Sequence, residues 1–349
     1  MKARFVEGVN GLTMHVLEAG TPGRPCVLLL HGFPELSYSW RKVIPALADA
    51  GYHVLAPDLR GYGKTTGWDG SYDGDVASFA MLNLVWDCVA LLSHLRIRQC
   101  HVVGHDFGSP LAAYCALTRP EVFRSVVLMS APFGGPPSKP TDPRIHDELA
   151  ALGRKHYQWY YSQRQADNDM RRAPQGVHAF LRAYYHVKSA DWADNKPYPL
   201  ASWSAPELAK LPTYYVMRQE ENMAQTVAPH LPAREAPWLT DEELAVYATA
   251  FESNGFQGGL QWYRCATSAG LSAPLRELAG RTIDVPSMYI AGAADWGIYQ
   301  KPGDFERMQS AACTQMRGCH LVPGAGHWVQ QEQPEKTSAL LVDFLRNVS

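Results

Sequence analysis

The pentapeptide Gly104-His105-Asp106-Phe107-Gly108 sets a carboxylate where the strand-to-helix turn G-x-S-x-G carries a serine. The apolar run His101-Val102-Val103 before it reads as the end of a buried strand. Ser109-Pro110-Leu111-Ala112-Ala113-Tyr114-Cys115-Ala116-Leu117 then opens a helix, with Pro near the first turn, where its missing N–H costs little. Gly104 and Gly108 leave room for a tight turn, so Asp106 is expected to project at the carboxyl end of a sheet. A carboxyl group with an ordinary pKa of about 3.9 is already an anion at neutral pH and needs no base to activate it. Attack on a carbonyl would give a reversible anhydride. Attack on a saturated carbon bearing a leaving group gives an alkyl ester that water can hydrolyse. Asp106 thus points to displacement at carbon followed by ester hydrolysis, with capping of the following helix as the plain alternative.

An ester on Asp106 needs a base to activate water, and the chain supplies one further on. His327 lies in Pro323-Gly324-Ala325-Gly326-His327-Trp328, after the apolar stretch His320-Leu321-Val322. Asp295 lies in Ala291-Gly292-Ala293-Ala294-Asp295-Trp296-Gly297, past the strand-like run Val285-Pro286-Ser287-Met288-Tyr289-Ile290. Nucleophile, acid, histidine is a known triad order. Asp295 would hold the imidazole of His327 and stabilise its positive charge. Asp304 competes with Asp295 for that role, whereas the strand end Val126-Val127-Leu128-Met129-Ser130 offers no acid. Two backbone donors are expected to form an oxyanion hole. One is the N–H of Phe107; the other is that of Phe33, in the loop His31-Gly32-Phe33-Pro34-Glu35 after Val27-Leu28-Leu29-Leu30. The Phe33–Pro34 bond is a candidate for cis.

Together, His31-Gly32-Phe33-Pro34-Glu35, Asp58-Leu59-Arg60-Gly61-Tyr62-Gly63, Gly104-His105-Asp106-Phe107-Gly108 and Gly326-His327-Trp328 resemble the epoxide hydrolases of the α/β-hydrolase superfamily over nearly the whole chain. The resemblance implies an α/β fold: an α/β-hydrolase core with a mostly parallel sheet flanked by helices, and an inserted helical cap (lid) domain. It also implies two cap tyrosines that donate to the epoxide oxygen. Tyr157, in His156-Tyr157-Gln158-Trp159-Tyr160-Tyr161, and Tyr263, in Gln261-Trp262-Tyr263-Arg264, match those contexts, with Tyr160 and Tyr161 close enough to be mistaken for the first. The need is chemical. An alkoxide is about as basic as hydroxide, the conjugate base of water with a pKa of about 15.7, and a phenol with a pKa of about 10 can give it a proton.

The same nucleophile serves haloalkane and haloacid dehalogenases, which are the rival reading. A departing halide wants N–H donors, typically the indole of a Trp directly after the nucleophile and an Asn in the loop that here holds Phe33. This chain has Phe107 and Phe33 there, although Trp159, Trp262 or Trp328 could still offer an N–H. A catalytically silent ligand-binding protein of the same fold, the third reading, would be expected to have lost a triad member, and none is missing. Phe33, Phe107, Trp159, Trp262 and Trp328 suggest an apolar pocket, with core packing as the alternative for each.

The elements that must position these residues are arranged in blocks. Up to about residue 130, short apolar strands alternate with helical stretches such as 81–92, the pattern of a parallel sheet covered by helices. Ala131-Pro132-Phe133-Gly134-Gly135-Pro136-Pro137-Ser138-Lys139-Pro140 is rich in breakers and reads as a domain exit. We expect core residues 1–134, a Tyr- and Trp-rich helical cap over 135–280, and core again over 281–349. A closing helix over 335–348 is expected to bury Leu341, Phe344 and Leu345.

Composition narrows the partners. The chain has 349 residues, 46% of them hydrophobic, and a net charge of −2 with scattered Lys and Arg, which argues against a nucleic-acid or anionic-membrane partner. No apolar run approaches the roughly 20 residues of a membrane helix, and Met1-Lys2-Ala3-Arg4-Phe5-Val6 carries no signal core, so a cytoplasmic protein is expected. The 7 Cys show no metal-type spacing. Cys26, Cys100 and Cys115 read as buried thiols, and the nearness of Cys313 and Cys319 as incidental. The chemistry calls for no cofactor or metal, only a small apolar epoxide and water.

Overall fold

The computed structural model describes residues 1–348. The chain opens with β1 (Lys2–Val9) and β2 (Leu12–Ala19), followed by β3 (Cys26–Leu30), β4 (His53–Pro57), β5 (Cys100–His105) and β6 (Phe123–Met129). Every residue of β3, β4 and β5 is buried, as befits strands covered on both faces. Alternation along β3 shows the two layers. Cys26, Leu28 and Leu30 pack with Leu84, Cys88, Leu91 and Leu111, from the helices Met81–His94 and Gly108–Thr118. Val27 and Leu29 face the other way, with Ile44, Leu47, Leu341, Phe344 and Leu345. The last three lie on the closing helix Pro334–Val348, which starts one residue before the expected position.

After β6 the chain leaves the sheet for a mostly helical stretch. It includes Arg144–Ala151, Tyr157–Tyr161, Gly176–Lys188, Asp241–Asn254 and Gln257–Thr267. It also holds a ribbon that the sequence did not reveal, β7 (Arg154–His156) paired antiparallel with β8 (Val216–Arg218). Strands of three residues are too short for a period of two to register. The chain then returns as β9 (Ser287–Gly292) and β10 (Met316–Val322).

The eight strands outside the ribbon form one sheet in the order β1-β2-β4-β3-β5-β6-β9-β10. β2 pairs antiparallel with β1 and β4, and the six strands from β4 to β10 run parallel. β6 and β9 are neighbours, with Val126 opposite Ser287, so the helical stretch leaves and re-enters between two adjacent strands. The carboxyl ends of β3, β5 and β9 therefore open beneath it, where an open α/β sheet puts its ligand. No helix among the described residues is long and apolar enough to cross a membrane. The seven cysteines are free; Cys26, Cys100 and Cys115 are buried, and Cys313 and Cys319 form no disulfide.

Candidate active site

Asp106 follows the last residue of β5 and precedes the helix Gly108–Thr118, at a φ of +51°. A left-handed residue that is not glycine stores strain, which a site keeps only when its surroundings hold it. Here they do. The Asp106 N–H donates to Met129 O at 3.2 Å and its carbonyl accepts from Ser109 at 3.0 Å. A Cβ on Gly108 would stand 2.3 Å from Leu30 O, and one on Gly32 would stand 2.4 Å from both Cβ and Oδ1 of Asp106. Neither position has room for a side chain.

The Phe33–Pro34 bond in the loop after β3 is cis, and the Phe33 N–H donates to Asp106 Oδ1 at 2.9 Å. Phe107 is the N-cap of the following helix, so its own N–H is outside the helical ladder. The other carboxylate oxygen, Asp106 Oδ2, lies 3.1 Å from His327 Nε2. On the far side of the ring, His327 Nδ1 is 3.1 Å from Asp295 Oδ1, which also accepts from the Gly297 N–H at 2.7 Å. Asp304 is not part of this line; it pairs with Arg307 on the short helix Asp304–Arg307. Asp106, His327 and Asp295 are all buried. Burial alone would raise both carboxyl pKa values, yet both fall below the usual carboxylate range. For Asp106 the hydrogen bond and charge of His327 prevail, helped by Lys188 and His105; for Asp295 it is His327 above all.

A second buried polar line, for which the motifs around Glu35 and His105 give no signal, runs beside this one. Glu35 Oε2 is 2.6 Å from His105 Nδ1 and accepts the Gly32 N–H at 3.1 Å, while Gln330 donates to Glu35 Oε1 at 3.0 Å. His105 Nε2 lies 2.7 Å from the carbonyl of His327. Burial opposes both charges, but each partner overrides it, so Glu35 is lowered and His105 raised. The loop carrying Phe33 and the loop carrying His327 are thereby tied together under Asp106.

The helical stretch covers Asp106 with phenols. The ribbon holds Tyr157, whose N–H donates to Tyr215 O at 2.9 Å. The Tyr157 hydroxyl donates to Gln300 Oε1 at 3.1 Å and accepts from Gln158 Nε2 at 3.2 Å. Tyr263, on the helix Gln257–Thr267, packs its ring 5.1 Å from Phe107, 5.5 Å from Phe33 and 5.9 Å from Tyr157. Burial first, and the charge of Asp106 second, push both phenols well above the usual value. Tyr161 is also at the site, between Tyr157 and Tyr263, whereas Tyr160 turns away to donate to Asp169.

The three tryptophans part company. Trp159 does not join the rings around Asp106: it lies on His146 and His156, with centroids 3.9 and 5.2 Å away, because two residues of helix turn its direction by about 200° from that of Tyr157. Trp262 packs on Phe107, but its N–H donates to Arg60 O at 2.9 Å. Trp328 stacks on Tyr185 and donates its N–H to Tyr185 O at 2.8 Å. Gln300 and the buried Lys188 are at the site with no signal in the sequence, since neither sits in a pattern that distinguishes it from a surface residue.

The comparisons agree with this geometry. Residues 25–334 match a family profile described as the alpha/beta hydrolase fold. Epoxide hydrolase A of Mycobacterium tuberculosis is 34% identical, over 96% of this chain and 95% of its own length. The epoxide hydrolase of Caballeronia sordidicola is 32% identical, over 97% of this chain and 92% of its own. Among solved structures, Epoxide Hydrolase A from Mycobacterium thermoresistibile superposes with a TM-score of 0.81 at 33% identity, covering 100% of this chain and 99% of that one. Fold, triad geometry and full-length similarity converge: this chain belongs to the α/β-hydrolase fold family and, within it, to the epoxide hydrolases.

Proposed function

We propose that this protein hydrolyses epoxides to vicinal diols through an alkyl ester on Asp106. The carrying observation is that one Asp106 oxygen is held by the Phe33 N–H and the other faces His327, while the phenol ring of Tyr263 packs on the flanking Phe33 and Phe107 rings with Tyr157 beside it. Asp106 attacks an epoxide carbon, the C–O bond breaks with its electron pair on oxygen, and Tyr157 or Tyr263 protonates that oxygen. Once Asp106 is esterified, Nε2 of His327 is free to take a proton from water, with Asp295 stabilising the imidazolium. The hydroxide attacks the ester carbonyl, and the N–H groups of Phe33 and Phe107 receive the oxyanion; its collapse breaks the ester C–O bond, and the departing oxygen keeps the hydroxide proton, which releases the diol and the Asp106 carboxylate. We further assign residues 135–280 as the cap and 1–134 with 281–349 as the core. Phe33, Phe107 and Trp262 make the pocket wall apolar, which suits an apolar epoxide.

A dehalogenase is disfavoured. The indole N–H groups of Trp262 and Trp328 are taken by backbone carbonyls, and Trp159 packs on His146, so none of these three offers a halide an N–H beside Asp106.

A His327→Gln protein mixed with styrene oxide tests the reading. Intact mass spectrometry is expected to show an adduct equal to the epoxide mass, mapping to Asp106 and persisting for minutes. A diol formed at the wild-type rate, or an adduct on another residue, would refute it.

A further inference from the structure

Lys188 ends the helix Gly176–Lys188 and is only 3% exposed. Lysines at helix ends ordinarily reach water. This ammonium instead lies over three rings, with Nζ 5.0 Å from the centroid of Tyr215, 5.3 Å from Tyr184 and 5.4 Å from Trp328. It forms no ion pair among the described residues, although a buried cation ordinarily demands one. Its backbone is fixed against the triad, since the Lys188 carbonyl accepts the His327 N–H at 2.8 Å. Its charge reaches Asp106 and offsets part of the burial that raises the Tyr184 phenol, whose hydroxyl accepts from Tyr161 at 3.3 Å.

Ring opening moves negative charge across the pocket. Asp106 begins as an anion and ends as a neutral ester, while the phenol that gives its proton to the opened oxygen ends as an anion. Burial and the charge of Asp106 both resist that anion. The Tyr157 ring stands 5.3 Å from that of Tyr215, and the Tyr263 ring 5.0 Å from that of Tyr161. Ring contacts thus link its ammonium to both phenols, to Tyr157 through Tyr215 and to Tyr263 through Tyr184 and Tyr161.

We infer that Lys188 is a positioning residue for ring opening: its ammonium, caged by Tyr184, Tyr215 and Trp328, stabilises the phenolate left when Tyr157 or Tyr263 protonates the opened epoxide oxygen. The inference rests on the epoxide-hydrolase reading above. The proton released when water cleaves the ester restores the phenol. During that second half the negative charge is on the ester oxygen beside Phe33, so Lys188 matters less there.

Single-turnover kinetics with a neutral epoxide separate the halves, with adduct formation and decay followed by intact mass in quenched samples. Lys188→Met is expected to slow alkylation about 10- to 100-fold and to leave adduct hydrolysis within about threefold of wild type. Lys188→Arg should recover most of the loss. A trifluoromethyl epoxide, whose alkoxide is a weaker base, should lose less in Lys188→Met than its methyl counterpart, a difference that a packing defect would not produce. Should the Met variant not fold, Lys188→Gln carries the same expectation. Three results would overturn the inference: unchanged alkylation, equal slowing of both halves, or a defect confined to carboxylate-bearing epoxides, which would make Lys188 a substrate anchor. A wild-type protein that forms no adduct with any epoxide would bring down the proposed function along with it.

Discussion

The Asp106 carboxylate and the His327 imidazole stand 3.1 Å apart, Oδ2 to Nε2, although 221 residues of chain separate them. In the proposed reaction that single contact would order the steps in time. While Asp106 is free, His327 faces a carboxylate; with Asp106 esterified, the same nitrogen would face the bond that water must attack.

Asp106→Asn should abolish turnover, with kcat lowered by roughly 10⁴-fold or more. Diol formation from an epoxide at saturating concentration measures it, and a retained burst of adduct would be incompatible with Asp106 as nucleophile.

The two phenols should share the protonation. Tyr157→Phe or Tyr263→Phe alone is expected to slow alkylation by roughly 10- to 100-fold, and the double variant by roughly 10²–10⁴-fold or more. Hydrolysis of the preformed adduct should change little, as stopped-flow tryptophan fluorescence can show.

Gly32→Ala should damage both stability and rate. The new methyl would stand 2.4 Å from Cβ and Oδ1 of Asp106, so either the nucleophile or the Phe33 loop must move. Overpacking of this kind costs about 1–3 kcal/mol. A lower thermal midpoint together with slower alkylation is the expected pair of results, and a variant unchanged in both would show that the loop yields freely.

Acid should destabilise the protein through its triad. Asp106 and Asp295 both hold folded-state pKa values below those of the unfolded chain. Their contribution is therefore complete above the unfolded value of about 3.9 and is lost as the pH falls through the folded ones. Asp106→Asn should show a shallower fall in thermal midpoint between pH 5 and pH 2.5 (roughly the window set by those values). An identical slope in both proteins would mean that other groups govern the acid limb.

Haloalkanes should remain untouched. With the indole N–H groups of Trp262 and Trp328 engaged by Arg60 O and Tyr185 O, chloride or bromide release from 1-haloalkanes should stay at background while epoxides turn over. A halide-sensing electrode gives the answer directly.

The features that depend on backbone chemistry and local spacing can be read directly from the residues. Gly104 and Gly108 around Asp106 announce a turn that only small residues allow, and the apolar runs of β3 and β5 announce buried parallel strands. Asp295 and His327 were legible for the same reason, since each follows a strand end. The directions of long side chains depend instead on packing between distant elements. Trp159 and Tyr157 are two residues apart, yet one packs on His146 and the other reaches Gln300. The ribbon that aims Tyr157 is three residues wide and leaves no pattern. Lys188 looks like any lysine closing a helix until Tyr184, Tyr215 and Trp328, remote in sequence or turned inward by packing, close around its charge. Backbone geometry is written locally, whereas the direction and surroundings of a side chain depend on which distant elements fold against it.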